Sequence, residues 1–174
     1  MTNSKSLIAY FSRKGYNYVG GRIVNLPIGN TEVIAKKIQE LTGSDMFHIE
    51  TVESYPEDYT EKTNVAQEEK RENARPELTE TVDDMDSYDV IYIGYPNWWG
   101  TMPMAVFTFL ESYDFSGKTI IPYCTHEGSG MGHSERDIRE HCPNAKVLSG
   151  LSIRGDSVGR AGNDVANWLK TKKN

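Results

Sequence analysis

The sequence predicts an α/β domain of three layers, in which a parallel β-sheet is covered by helices on both faces. Five short apolar runs alternate with segments of helical periodicity along nearly the whole chain, and such alternation is typical of parallel sheets. The most apolar run, Val90–Tyr95, is continuous, as expected of a strand that is buried on both faces. With 174 residues, no internal repeat and no linker, the chain suits a single domain over residues 1–174.

The first half of the chain supplies two strands and two helices. Leu7–Phe11 is a run of strand-forming residues. The helix Asn30–Leu41 has its apolar residues at helical spacing, and Asn30 is its expected N-cap. Met46–Glu50 is predicted as a short strand. Tyr59–Ala74 is polar and rich in helix formers, which predicts an exposed helix.

The second half continues the alternation after the central strand. Thr101 is the expected N-cap of the next helix, and Pro103 then lies in its first turn, where proline is favoured. Val106, Phe109 and Leu110 share one face of this helix and are expected in the core. The remaining predicted elements are the strand Thr119–Cys124, the helix Glu135–His141, the strand Val147–Leu151 and the helix Arg160–Leu169.

The composition is ordinary for a soluble globular protein, with 37% hydrophobic residues, 25% charged residues and a mean hydropathy of −0.58. No apolar run approaches the ~18 residues of a membrane span. The apolar run near the N-terminus is too short for a secretory signal. We therefore expect a cytoplasmic protein that does not bind membranes.

The charge is unevenly distributed along the chain. The net charge is −6, but residues 53–89 contain thirteen Asp and Glu against four Lys and Arg, a net charge of −9. This balance argues against a nucleic-acid-binding protein, which is usually basic. An acidic segment of this kind is either a solvated face or a surface that guides a basic partner protein.

The cysteines and histidines give no metal-binding pattern. Cys124 and Cys142 lack a CxxC spacing, and the four histidines form neither HxxxH nor HExxH. Cys124 ends an apolar run and is expected to be a buried free thiol.

The residues that follow the predicted strands are candidates for ligand binding, because open parallel sheets bind ligands beyond the carboxyl ends of their strands. Ser12 and Arg13 follow the first strand, and Gly29–Thr31 begin the first helix. A helix N-terminus with small polar residues presents N–H groups and a positive dipole to an anion. We therefore expect a phosphate site here.

Two further loops point to an aromatic ligand. The adjacent Trp98 and Trp99 lie in a loop between Pro96 and Gly100, a position that suits contact with a flat ring. The segment Thr125–Gly130 is rich in glycine, which permits close approach of backbone to a ligand or simply forms a turn. Neither GxGxxG after the first strand nor a GxxxxGK[ST] loop is present. Phosphate at one end and an aromatic ring at the other describe a mononucleotide such as FMN.

With these motifs, YFSR…GNT, GYPNWWGTMP and CTHEGSGMG, the chain resembles the bacterial flavodoxins from about Ser6 to Leu169. The resemblance implies a flavodoxin-like fold, a five-stranded parallel sheet of order 2-1-3-4-5 with helices on both faces, and non-covalent FMN. It assigns residues to three loops: Ser12, Arg13, Asn30 and Thr31, beside Gly29, to the phosphate; Pro96, Asn97, Trp98, Trp99 and Gly100 to the flavin ring; and Thr125, His126, Glu127, Gly128, Ser129 and Gly130 to the second flavin loop.

The resemblance implies an electron carrier between an NAD(P)H-dependent reductase and acceptor enzymes, which could dock through the acidic surface. The alternative is a flavoenzyme of the NAD(P)H:quinone reductase type on the same fold. In such an enzyme His126 could protonate a quinone, although a loop histidine bonded to backbone is the simpler interpretation. A third hypothesis is a module that has lost its flavin. Ser12, Thr31 and the two adjacent tryptophans argue against this hypothesis.

The phosphate loop is interrupted by an insertion at about residues 14–28. Its two strand-like runs, Tyr16–Val19 and Arg22–Asn25, are separated by Gly20-Gly21, a signal for a two-residue hairpin turn. We expect a small β-hairpin that packs beside the cofactor or on a partner. The alternative is a mobile surface loop. In either case Gly29–Thr31 should still meet Ser12.

Overall fold

The computed structural model describes residues 5–172 and has a parallel sheet at its centre. The strands of this sheet are β1 Ser6–Tyr10, β4 Asp45–His48, β5 Val90–Pro96, β6 Thr119–His126, β7 Lys146–Val147 and β8 Leu151–Arg154. Their order is β4-β1-β5-β6-β7, with β8 also paired to β6, and every pairing is parallel. The predicted order 2-1-3-4-5 is confirmed. The order reverses between β1 and β5, which places the expected ligand site above these strands.

The prediction of one continuous last strand, Val147–Leu151, is wrong. Two short strands, β7 and β8, pair with β6 in its place, and Ile120 faces Val147 while Tyr123 faces Leu151. Three residues therefore separate Val147 from Leu151, whereas two residues separate Ile120 from Tyr123 on β6. The extra residue interrupts the pairing, as in a β-bulge. The interruption faces Pro122, which has no N–H to donate to a ladder.

Helices cover both faces of the sheet. They are α1 Asn30–Thr42, α2 Tyr59–Glu72, α3 Met104–Glu111, α4 Ser134–His141 and α5 Gly162–Thr171. On one face, Ile34 of α1 and Val165 of α5 pack against Ile8 of β1. On the other face, Phe109 of α3 and Ile138 of α4 belong to a second core cluster. The predicted three-layer arrangement is thus confirmed.

Two predicted helix caps are wrong. Gly29 is the N-cap of α1 and Asn30 is its first helical residue; the oxygen that accepts from the first turn comes from Ser12 instead. Helix α3 begins at Met104, so Thr101 does not cap it. The hydroxyl of Thr101 donates to Asp137 Oδ2 of α4 at 2.5 Å, which joins the loop after β5 to that helix.

The insertion forms the expected hairpin. Its strands, β2 Gly15–Val19 and β3 Arg22–Leu26, pair antiparallel as a separate two-stranded sheet. Gly20 and Gly21 have φ angles of 60° and 87°, the left-handed backbone that a tight hairpin turn requires.

Cys124 and Cys142 are both buried free thiols. Among residues 5–172, no helix combines the length and the apolar character that crossing a bilayer would take.

Candidate functional site

A cavity of about 510 Å³ lies at the carboxyl edge of the sheet, where the loops after β1, β5 and β6 meet. This volume is within the range of small-molecule sites. Most of the predicted site residues line it: Arg13, Asn30, Thr31, Pro96, Asn97, Trp98, Trp99, Gly100, Thr125, His126, Glu127 and Ser129. Ser12, Gly29, Gly128 and Gly130 do not line the cavity but belong to the loops that form it.

One end of the cavity is the N-terminus of α1. Ser12 Oγ accepts a hydrogen bond from the backbone N–H of Glu32 at 3.0 Å, and so fixes the chain after β1 against the first turn of the helix. Gly29 is required at this contact, because a Cβ atom there would lie 2.2 Å from Ser12 Oγ. The hydroxyls of Thr31 and Thr125 are 2.8 Å apart and connect this end to the loop after β6.

Arg13 supplies a cation at the same end. Its two terminal nitrogens donate to the backbone carbonyls of Tyr55 and Pro56. Its Nε is buried and has no hydrogen-bond partner among residues 5–172. Burial lowers the pKa of Arg13, but a guanidinium keeps its charge at neutral pH. Arg13 is also among the residues that line the cavity, and its positive charge suits an anionic ligand.

The other end of the cavity is aromatic. The ring of Trp98 packs edge to face against Phe11 and Tyr55, with centroid distances of 5.1 and 5.2 Å. Trp99 is 46% exposed, and its Nε1 donates to the carbonyl of Thr63 at 3.0 Å. Trp99 has a φ of 57°, a strained conformation for a large side chain and one that is concentrated at functional sites.

Asn97 holds the aromatic loop in place. Its backbone N–H donates to the carbonyl of Thr125 at 2.8 Å and its Nδ2 to that of Gly130 at 2.9 Å, while its Oδ1 accepts from the N–H of Gly100 at 3.0 Å. These bonds use both the backbone and the side chain of one residue. The loops after β5 and β6 therefore form one rigid unit.

The loop after β6 carries two titratable side chains. His126 Nδ1 accepts from the backbone N–H of Gly128 at 2.8 Å, as expected of a loop histidine bonded to backbone, and burial lowers its pKa. Glu127 Oε1 accepts from the backbone N–H of Gly20 at 2.8 Å, which ties the loop to the hairpin tip. Burial raises the pKa of Glu127.

The hairpin was expected to cover part of the cofactor with its tyrosines, and Tyr18 does line the cavity. The other wall residues were missed by the sequence prediction: Asn17 of the hairpin and Tyr59, Lys62, Thr63 and Ala66 of α2. The four α2 residues recur at i, i+3, i+4 and i+7, which is the spacing of one helical face. This spacing could have indicated that the four residues share one face of the helix. The signal is weak because the face carries both apolar and polar side chains.

The family model described as Flavodoxin matches residues 5–172 of this chain. The chain belongs to the flavodoxin family. A candidate flavoprotein from Bacteroides eggerthii has the same fold, with 26% identity, a TM-score of 0.77, and coverage of 97% of this chain and 98% of that one. A candidate flavoprotein from Bacteroides uniformis shares 28% identity with a TM-score of 0.74, over 97% and 99% of the two chains.

A third flavodoxin-like structure is a flavoprotein from Lactobacillus acidophilus in complex with FMN. It shares 22% identity over 96% of this chain and 99% of its own, with a TM-score of 0.68. Comparison with curated proteins gives no match.

Proposed function

We propose that this flavodoxin-family protein binds FMN and carries electrons between an NAD(P)H-dependent reductase and acceptor redox enzymes. The observation that carries the proposal is the cavity itself, which joins an anion site to an aromatic site at the strand-order reversal. FMN has a phosphate at one end and a flat ring at the other. The Lactobacillus acidophilus relative, a complex with FMN, supports the same assignment.

The residues present fit FMN. The first turn of α1 and the positive charge of Arg13 suit its phosphate, and Trp98 and Trp99 suit its ring. When bound, FMN supplies one- and two-electron transfer. The ring would contact the loops after β5 and β6, which Asn97 joins through hydrogen bonds to Gly130 and Gly100.

The acidic segment supports docking of partner proteins. Of its thirteen carboxylates, all but Glu69 are on exposed residues. Helix α2 belongs to this segment and also lines the cavity, so the negative charge lies beside the flavin site. Such a charge distribution attracts basic surfaces and speeds association at low ionic strength.

The first test is to purify the protein, remove bound flavin and titrate it with FMN. We expect a yellow holoprotein and recovery of flavin absorbance on titration. A colourless protein that does not bind added FMN would contradict the proposal. NADPH is then added to the holoprotein with and without a flavodoxin reductase. Reduction only with the reductase supports a carrier, whereas rapid bleaching by NADPH without it would indicate an enzyme of the quinone reductase type.

Docking of the reductase is tested with matched charge variants. Glu61→Lys and Glu68→Lys change exposed residues of α2, whereas Glu40→Lys changes an exposed residue of α1. We expect the α2 variants to slow reduction by the reductase several-fold at low salt, and the α1 variant to have less effect. Equal effects of the variants on both helices would contradict docking at this surface.

A further inference from the structure

Lys62 is a buried cation at the aromatic end of the cavity. It lies in the first turn of α2, is 4% exposed and is one of the residues that line the cavity. Its Nζ is 4.6 Å from the ring centroid of Tyr59 and 5.2 Å from that of Trp98. Burial, with a further contribution from Arg13, lowers the pKa of Lys62 to about 8, and within residues 5–172 no carboxylate raises it. At pH 7 the group is therefore still charged in most molecules.

The charge inside the cavity differs in sign from the charge on the outer face of α2. Of the described residues that line the cavity, Arg13 and Lys62 are cations and Glu127 is the one carboxylate. By contrast, Glu61 and Glu68 of α2 are exposed and do not line the cavity. Helix α2 thus places a positive charge inside the cavity and carboxylates outside it.

A purely structural role does not account for Lys62. A buried ammonium without a carboxylate partner is unfavourable, and aromatic faces compensate for only part of the lost hydration. An apolar side chain could pack against Tyr59 and Trp98 without this cost. A cation at this position becomes favourable when a negative charge lies beside it.

We propose that the ammonium of Lys62 stabilises the negative charge that the flavin ring gains on two-electron reduction, and thereby raises the reduction potential of bound FMN. The inference rests on the proposed binding of FMN. The reductase supplies two electrons and solvent supplies one proton, and the product, FMNH⁻, carries a negative charge on a ring that is neutral when oxidised. Lys62 lies against Trp98, which belongs to the end assigned to the ring. Because Lys62 is buried, water screens its charge less than that of a surface group, and charge near the ring is one means by which a protein tunes a flavin.

The test compares the two-electron reduction potential of bound FMN in the wild type and in Lys62→Met, Lys62→Gln and Lys62→Arg. Anaerobic titration with dithionite against a reference dye measures this potential without a partner protein. Relative to oxidised FMN, the two neutral variants should bind FMNH⁻ roughly tenfold less tightly than the wild type does, which lowers the potential by about 30 mV. Lys62→Arg keeps the charge and should stay close to the wild type. The control is Lys170→Met, at an exposed position on α5, which should not change the potential.

Two results would overturn the inference. The same potential in the wild type and in both neutral variants would exclude an effect of the charge on the ring. A potential of Lys62→Arg as low as that of Lys62→Met would attribute the change to packing and not to charge. Titration of each apoprotein with oxidised FMN separates this inference from the proposed function. Wild-type apoprotein that does not bind FMN would contradict the proposed function, whereas variants that bind FMN with an unaltered potential would contradict the role of Lys62 alone.

Discussion

The backbone N–H of Gly20 donates to the carboxylate of Glu127 at 2.8 Å, and this bond joins the tip of the inserted hairpin to the second flavin loop. At the base of the hairpin, Asn17 Nδ2 donates to the carbonyl of Arg13 at 2.8 Å. Both ends of the insertion are therefore attached to predicted cofactor loops. This arrangement favours the hairpin beside the cofactor over the mobile loop.

Loss of the Glu127 acceptor should speed flavin release. In Glu127→Ala, the exposed N–H of Gly20 bonds to water in place of the carboxylate and the hairpin tip is no longer attached to this loop, so we expect FMN to dissociate roughly 5- to 10-fold faster. Glu127→Gln keeps an oxygen acceptor and should stay close to the wild type. Flavin fluorescence recovery after dilution measures the rate. Equal rates in Ala and Gln variants would mean that the bond does not hold the hairpin.

Replacement of residues 15–28 by a two-residue turn should leave the domain folded. Most hairpin side chains are exposed and the hairpin is not part of the main sheet, so little core packing is lost. FMN binding should persist but weaken, because Asn17 and Tyr18 no longer close the cavity. Thermal unfolding and FMN titration measure the two effects. Complete loss of FMN with an intact fold would show that the hairpin builds the site.

Gly29→Ala should damage both the fold and the site. Its Cβ would lie 2.2 Å from Ser12 Oγ and 2.7 Å from the carbonyl oxygen of Arg13, so the phosphate loop must shift. We expect a loss of about 1–3 kcal/mol in the free energy of unfolding and a marked loss of FMN affinity. Gly162→Ala is the control, since a Cβ there meets nothing within 4 Å. Urea unfolding that gave equal stabilities for the two variants would contradict this account.

The titration of Lys62 should be visible in the stability of the apoprotein. Its pKa is lowered to about 8 in the folded state from an ordinary value of 10.5. Above pH 8 the folded state therefore binds fewer protons than the unfolded state, and the contribution of Lys62 to stability rises with pH up to about 10.4. Below pH 8 the penalty of the buried charge is fully present.

Lys62→Met removes this penalty. At pH 7 we expect the variant to be more stable than the wild type by on the order of 1–3 kcal/mol, as when a poorly compensated buried charge is replaced by an apolar group. The difference should shrink between pH 8 and pH 10. Urea unfolding of both proteins at a series of pH values measures this difference. Subtracting the stability of the wild type from that of the variant cancels the titration of groups that both proteins share, such as the tyrosines. A difference that does not change with pH would refute the lowered pKa of Lys62.

The sequence by itself determined the parallel α/β architecture and the loops that carry the site, whereas the strand order followed from the resemblance to flavodoxins. Continuous apolar runs such as Val90–Tyr95 indicate strands that are buried on both faces, and the carboxyl ends of parallel strands share one edge of the sheet. The hairpin was equally predictable, because two strand-like runs around Gly20-Gly21 are a local signal. In these cases the information lies within a few residues of the feature it predicts.

Only the tertiary structure decided the features that depend on distant partners. Thr101 resembles a helix cap in sequence, but its hydroxyl donates to Asp137. Val147–Leu151 reads as one strand, yet the register against Pro122 divides it in two. Lys62 lies on a polar helix in sequence, and its burial depends on the aromatic loop that folds over α2. Hydrophobic periodicity describes one secondary-structure element at a time. It therefore cannot predict that a charged side chain on one element is buried by a different element.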